Sequence, residues 1–328
     1  MTLDAALDAD VSACPRCQSP VFHDELYCEA CGRRMGHDAA SAPAMSAPPR
    51  SDRDEHDAGA IAGVTDRGNR RQRNEDALAV AANDGRVLAV VCDGVASTAH
   101  ADRAARQAAD AAFAVLYPLL GAPEWPASSE LSDLLRQAFL GAQSAVLQVP
   151  DDEPDGNDLS PSTTMVIAVA AEGRITVANI GDSRAYWLST DPSDTRLLTV
   201  DDSWAQESIA EGATPEVAYA HPDAHTITRW VGGDADSVLP TLSTLDVSER
   251  GLLVVCTDGL WNYFQDPASL GALIPDWVTS SPLAVARRLT DAALAAGGQD
   301  NITVTVAPIS PATTSPATTS PRSIPTEE

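Results

Sequence analysis

Val87-Leu88-Ala89-Val90-Val91-Cys92 is an unbroken apolar run that stops on Asp93-Gly94. Alternating apolar and polar residues mark a strand with one wet face, whereas an unbroken run marks a strand buried on both. Leu252-Leu253-Val254-Val255-Cys256 repeats the design and, after Thr257, also stops on Asp258-Gly259. Further strands are predicted over 163–170, 175–180, 185–188 and 302–306, separated by Glu-Gly and Gly-Asp turns. Helices are predicted over 101–117, over 283–295, and from Ser128 or Ser129 as N-cap. The last carries Leu131, Leu134, Leu135, Ala138, Ala142, Ala145, Val146 and Val149 on one face. Many strands with a few amphipathic helices, and no regular βαβ alternation, indicate an α+β layered domain.

The chain has 328 residues, enough to bury a sizeable core as one large domain or two ordinary ones. Its 21 Lys+Arg against 47 Asp+Glu give a net charge of −26. Such a surface repels phosphate backbones and anionic lipid, which argues against general nucleic-acid or membrane affinity. Lysine is absent. That excludes Walker-A nucleotide binding, pyridoxal chemistry and protein-kinase phosphoryl transfer, all of which need an amine.

No apolar run reaches the roughly 18 residues that a spanning helix needs. The opening MTLDAALDAD lacks the basic-then-apolar order of a secretory signal. Four of the six cysteines form two CxxC pairs, and Cys92 and Cys256 read as buried free thiols. A soluble, cytoplasmic chain is expected. Composition divides it into a cysteine-bearing segment at 1–35, a disordered linker at 36–60, a folded domain at 61–307 and a disordered tail at 308–328. The tail carries the repeat SPATTSPATTSP.

Three aspartates stand at turns that end or begin strands: Asp93, Asp258, and Asp300 in Gly297-Gly298-Gln299-Asp300-Asn301. Glu75-Asp76 opens another strand after an arginine-rich stretch. Taken singly, Asp-Gly after a strand is an ordinary hairpin turn. Together, the carboxylates gather at one sheet edge and repel unless a cation sits between them. Hard oxygen ligands select magnesium or manganese over zinc or copper.

These residues carry a family resemblance. The segment Thr65-Asp66-Arg67-Gly68-Asn69-Arg70-Arg71-Gln72-Arg73-Asn74-Glu75-Asp76 resembles the opening motif of the metal-dependent, type 2C, serine/threonine protein phosphatases. Cys92-Asp93-Gly94, Ser162-Thr163-Thr164, Asn179-Ile180-Gly181-Asp182-Ser183-Arg184, Thr257-Asp258-Gly259-Leu260-Trp261 and Asp300-Asn301 follow in the family's order. The resemblance implies a four-layer α-β-β-α sandwich, two antiparallel sheets flanked by helices. It implies a two-metal Mn2+ or Mg2+ site held by Asp76, Asp93, Asp258 and Asp300 with the Gly94 carbonyl. Arg71 would hold the substrate phosphate, its fork matching two phosphoryl oxygens. Glu75 would bind metal-bound water, and Arg70 and Arg73 are read as solvated or structural.

The chain departs from the family at three points. Where many relatives continue Asp-Gly with His-Gly-Gly or Met-Gly-Gly, it reads Gly94-Val95-Ala96-Ser97, so no histidine stands there as general acid. Asn262 replaces an aspartate frequent in relatives, which weakens any third metal shared by Asp182 and Asp258; Asp182 is equally read as a turn residue. Asp201-Asp202-Ser203 replaces an Asp-His-Ser segment, and His221 and His225 receive no role.

Cys14-Pro15-Arg16-Cys17 and Cys28-Glu29-Ala30-Cys31-Gly32 resemble a small zinc ribbon. Four thiolates at this spacing close a tetrahedral structural shell around one Zn2+, which supplies most of the segment's folding energy. Few arginines and an acidic surround favour protein over nucleic acid as its partner.

The leading expectation is hydrolysis of phosphoserine and phosphothreonine in proteins, including substrates of serine/threonine kinases. The alternative is a catalytically weak phosphatase fold used for docking or sensing.

Overall fold

The computed structural model describes residues 11–13, 20–22, 53–98, 100–150 and 160–312. In chain order its first strands are β1 (Val11–Ala13), β2 (Pro20–Phe22), β3 (Arg53–Asp57), β4 (Ala62–Asp66), β5 (Asp76–Asn83) and β6 (Arg86–Asp93). Helices α1 (Ala101–Leu116) and α2 (Ser128–Val146) follow. Next come β7 (Ser162–Thr163), β8 (Met165–Ala171), β9 (Arg174–Ile180), β10 (Arg184–Ser189) and β11 (Arg196–Leu197). Helices α3 (Trp204–Ala210) and α4 (Pro215–Tyr219) precede β12 (Val231–Gly232), β13 (Thr241–Asp246) and β14 (Gly251–Cys256). The chain then forms α5 (Asp258–Trp261), α6 (Pro267–Leu273), α7 (Pro282–Ala296) and β15 (Ile302–Ile309).

Two antiparallel sheets dominate: a six-stranded one, ordered β11-β10-β14-β15-β4-β3, and a five-stranded one, ordered β13-β9-β8-β6-β5. The unbroken apolar runs explain why they stack. In β6, Val87, Ala89 and Val91 enter the core between the sheets, while Leu88, Val90 and Cys92 enter the core under α1 and α2. In β14, Leu253 and Val255 face the first of these cores, and Leu252, Val254 and Cys256 face α5, α6 and α7. Each central strand therefore buries both faces, giving helix, sheet, sheet and helix layers. Cys92 and Cys256 are buried free thiols within these layers, as expected from their apolar surroundings.

The alanines of α1 let α2 and the sheet approach closely; Ala104, Ala105, Ala108, Ala109 and Ala112 are all buried. Helix α2 starts at Ser128, so the residue outside its first turn is Ala127, not a serine. Glu130 takes over the capping role, its carboxylate accepting the Ala127 N–H at 3.1 Å.

One boundary is corrected. Residues 53–57, placed by composition in the linker, form edge strand β3, paired with β4 from Arg53↔Asp66 to Asp57↔Ala62. Arg53-Asp54-Glu55-His56-Asp57 has no apolar residue, so hydrophobic patterning cannot reveal it. Backbone pairing holds it, with ion pairs to α7 from Arg287 to Glu55 and from Arg53 to Asp291. The last strand also runs two residues beyond the expected boundary, to Ile309.

β1 and β2 pair antiparallel, with Val11 opposite Phe22 and Ala13 opposite Pro20. Cys14, Cys17, Cys28 and Cys31, linker residues 36–52 and the tail from 313 lie outside the described residues. No helix among the described residues is long and apolar enough to cross a membrane.

Candidate active site

The acidic residues are set by strand ends. Asp76 opens β5 and Asp93 closes β6, and the register makes them direct cross-strand neighbours. Asp258 starts α5 two residues after β14, and Asp300 stands two residues before β15. Thr257 joins the two sheets here: its hydroxyl donates to Asp76 Oδ2 at 2.9 Å and accepts the Thr303 N–H at 3.0 Å.

Distant polar side chains hold the loops that carry these groups. Asn301 Oδ1 accepts the Glu75 N–H at 2.8 Å, and its amide donates to the carbonyls of Arg67 and Arg73 at 2.8 and 2.9 Å. Thr164 Oγ1 accepts the Asp93 N–H at 3.2 Å, while Thr163 Oγ1 donates to the Asp93 carbonyl at 2.8 Å. Sequence reasoning gave these residues no role, although all lie in motifs it quoted. Two glycines are required by close approach. A Cβ on Gly94 would lie 2.6 Å from the Ala101 carbonyl oxygen, and one on Gly259 only 1.9 Å from that of Asn301.

The result is a cleft of about 300 Å³. Arg71, Glu75, Asp93, Gly94, Asp182, Asp258 and Asp300 line it, together with Val95, Ala96 and the segment from His225 to Ile227. Asp182, left open between turn residue and ligand, is thus a wall of the cleft. Asp76 lies buried beside Asp93 and is 6 % exposed.

Burial and neighbouring negative charge act together on these carboxyls. Asp76 is pushed up to about 7, first by burial and then by Asp300. Asp258 is also pushed up to about 7, by burial and by Asp300 and Asp76. Asp93 and Asp182 are held well above the ordinary range, mainly by burial, with Asp76 and Asp258 respectively as the largest charge influence. Burial likewise raises Glu75, against the pull of Arg71 and Arg73.

Arg71 reaches the cleft but grips Asp300, donating from Nε and Nη2 to both carboxylate oxygens at 2.8 and 2.7 Å. Asn262 donates to Asp258 Oδ2 at 3.0 Å, so the residue that lacks a charge also occupies an oxygen of its neighbour. Among the described residues no three Asp, Glu, His or Cys side chains are drawn together tightly enough to hold one ion as they stand. The carboxylates share a cleft without closing a shell around an ion.

The donor set nonetheless fits hard divalent cations. Asp76 Oδ1 is buried with no hydrogen-bond partner. An orphaned carboxylate oxygen in a cluster of disfavoured negative charge is stabilised by a proton or by a cation, and only a cation can serve several of these carboxylates at once.

Comparison with known proteins agrees with this chemistry. A family profile described as Protein phosphatase 2C matches residues 65–294. Over 247 residues the chain is 34 % identical to the serine/threonine protein phosphatase PstP of Mycobacterium tuberculosis, covering 75 % of this chain and 44 % of that protein. The chain thus spans less than half the length of that relative. It is 29 % identical over 252 residues to the serine/threonine phosphatase stp of Listeria welshimeri, covering 73 % of this chain and 92 % of that protein. The crystal structure of M. tuberculosis PstP superposes with a TM-score of 0.60 at 29 % identity, covering 76 % of this chain and 98 % of that chain. The catalytic domain of PstP in complex with two manganese ions gives 0.58 at 28 % identity, covering 76 % and 97 %.

Proposed function

Because the chain belongs to the protein phosphatase 2C family, we propose that it is a phosphoric monoester hydrolase acting on phosphoserine and phosphothreonine in proteins. The observation that carries this reading is the delivery of Asp93, Asp258 and Asp300, from separate strand ends, to one cleft with Arg71, with Asp76 buried directly opposite Asp93. On this reading those four aspartates and the Gly94 carbonyl hold two Mn2+ or Mg2+ ions. Asp182 offers a weak third site with Asp258, limited by Asn262. Bound there, the cations would supply Lewis-acid chemistry, acidifying the attacking water and neutralising charge on the phosphoryl group.

The protein's own groups do the positioning. With Asp300 turned to a bound cation, the Arg71 fork would bind two phosphoryl oxygens. Glu75 accepts a hydrogen bond from water in the cleft and orients it. Asn301, Thr257 and Thr164 keep the ligand loops from relaxing apart. Manganese-dependent hydrolysis of a phosphothreonine peptide, compared with Asp93→Asn and Arg71→Ala, tests the reading. Wild type is expected to exceed both variants by about 10²-fold or more. Equal, background rates with manganese and magnesium would leave the docking alternative, which Val95 and Asn262 favour.

The N-terminal cysteines form, in the same proposal, a zinc ribbon tethered to the phosphatase domain. The pairing of β1 with β2 on either side of the Cys14–Cys17 stretch supports it. With a net charge of −26, the ribbon's partner is a protein rather than nucleic acid, and the enzyme serves phosphoproteins of serine/threonine kinase signalling in the cytoplasm. Metal analysis of the purified chain tests the ribbon: one zinc per chain supports it, and none removes it.

A further inference from the structure

Hydrolysis of a phosphoserine or phosphothreonine expels an alkoxide, a poor leaving group that needs a proton as its bond to phosphorus breaks. At the loop after Asp93-Gly94 the cleft is lined by Val95 and Ala96, neither of which carries one. Four histidines fall among the described residues. His56 lies in edge strand β3, and neither it nor His100 lines the cleft. His221 is committed elsewhere: its ring stacks on Trp204 at 3.9 Å, and its Nδ1 accepts the Asp223 N–H at 3.2 Å. His225 lines the cleft with Asp93, Asp182 and Asp258.

The backbone holds His225 in that position. The carbonyls on either side of it are anchored: Ala224 accepts from Ala205 N–H at 3.1 Å and Thr226 from Trp204 N–H at 2.9 Å. A bridge between Ser203 and Ile227 and a bond from Thr228 N–H to the Asp202 carbonyl at 3.0 Å complete the tie. The imidazole lies 6.0 Å from the Trp261 ring and 6.1 Å from the Tyr219 ring. Trp261 ends the short helix that Asp258 begins, so the histidine is registered against the element carrying a candidate ligand.

We propose that His225 is the general acid of the reaction. Water adds its oxygen to phosphorus while the bond from phosphorus to the seryl or threonyl oxygen breaks. The departing oxygen takes the proton of the His225 imidazolium, giving the alcohol and neutral imidazole. The proton shed by the water restores the imidazolium, and the products are the free hydroxyl side chain and inorganic phosphate. This inference rests on the phosphatase reading.

The test compares His225→Asn and His225→Ala with wild type at saturating manganese, on a phosphothreonine peptide and on p-nitrophenyl phosphate, whose leaving group needs no proton. Expected is a fall in kcat of about 10²-fold or more on the peptide, exceeding the fall on the aryl phosphate by at least about tenfold. Added imidazole is expected to restore part of the peptide rate of His225→Ala. Melting temperature and calorimetric manganese affinity should match wild type. Equal losses on both substrates, no loss, or weakened manganese binding in the variants would overturn the assignment while leaving the phosphatase reading intact. A wild type that turns over neither substrate overturns both.

Discussion

Arg71 and Asp300 form a two-pronged pair, Nε to Oδ1 at 2.8 Å and Nη2 to Oδ2 at 2.7 Å, between residues 229 positions apart. The side chain assigned to phosphate therefore competes with a cation for a side chain assigned to metal. Removing Arg71 relieves that competition and a nearby positive charge. Arg71→Ala is expected to bind manganese several-fold more tightly than wild type by calorimetry, while losing turnover. Weaker binding would mean that Arg71 organises the site rather than competing for it.

The raised carboxyls give the metal-free protein a signed pH dependence. Asp76 and Asp258 are both pushed up to about 7 in the folded chain, mainly by burial and by the charge of Asp300, with Asp76 adding to the rise of Asp258, against an ordinary 3.8. Between about pH 4 and pH 7 the folded chain thus holds more protons than the unfolded one, and stability falls as pH rises. With chelator present, the urea midpoint is expected to be higher at pH 5 than at pH 7.5. Saturating manganese should reverse that order, because the cation replaces the protons. A metal-free midpoint that rises across this window would contradict the charge accounting.

A second charged pair is structural. Arg184 and Asp201 are buried, joined by bonds of 2.6 to 3.2 Å, with the guanidinium 3.8 Å over the Trp261 ring. Asp201→Asn leaves a buried cation uncompensated and is expected to cost about 3–5 kcal/mol in urea denaturation. Asp246→Asn, which breaks an exposed pair with Arg174, is expected to cost less than about 1 kcal/mol. Similar costs for the two would show that the burial of the Arg184 pair does not matter.

Asn301 is the third point of sensitivity, since its buried amide serves three backbone groups of the 67–75 loop. Asn301→Ala orphans those groups, at about 1–3 kcal/mol for each that water cannot reach. Both the urea midpoint and the manganese affinity are expected to fall. A lowered midpoint with unchanged manganese affinity would separate the loop from the metal site.

Much of this was legible in the sequence because burial on two faces leaves a plain signature. The runs ending at Cys92 and Cys256 fixed the central strands, and the carboxylates that follow fixed the working end of the sheets. Edge strands were not legible: Arg53–Asp57 and Thr241–Asp246 carry polar or mixed faces and are held by backbone pairing. Nor were the roles of Thr257 and Asn301, whose partners lie 181 and up to 234 positions away. His225 stood unassigned for the same reason. Nothing local distinguishes it from His221, and only folding makes one residue part of the cleft lining and stacks the other on Trp204.

The central claim is that these carboxylates exist to hold divalent cations, and calorimetric titration with manganese addresses it directly. The wild-type chain is expected to take up two ions, and Asp76→Asn and Asp93→Asn are each expected to lose at least one of them. A wild type that binds no manganese, or both variants binding it undiminished, would contradict the account.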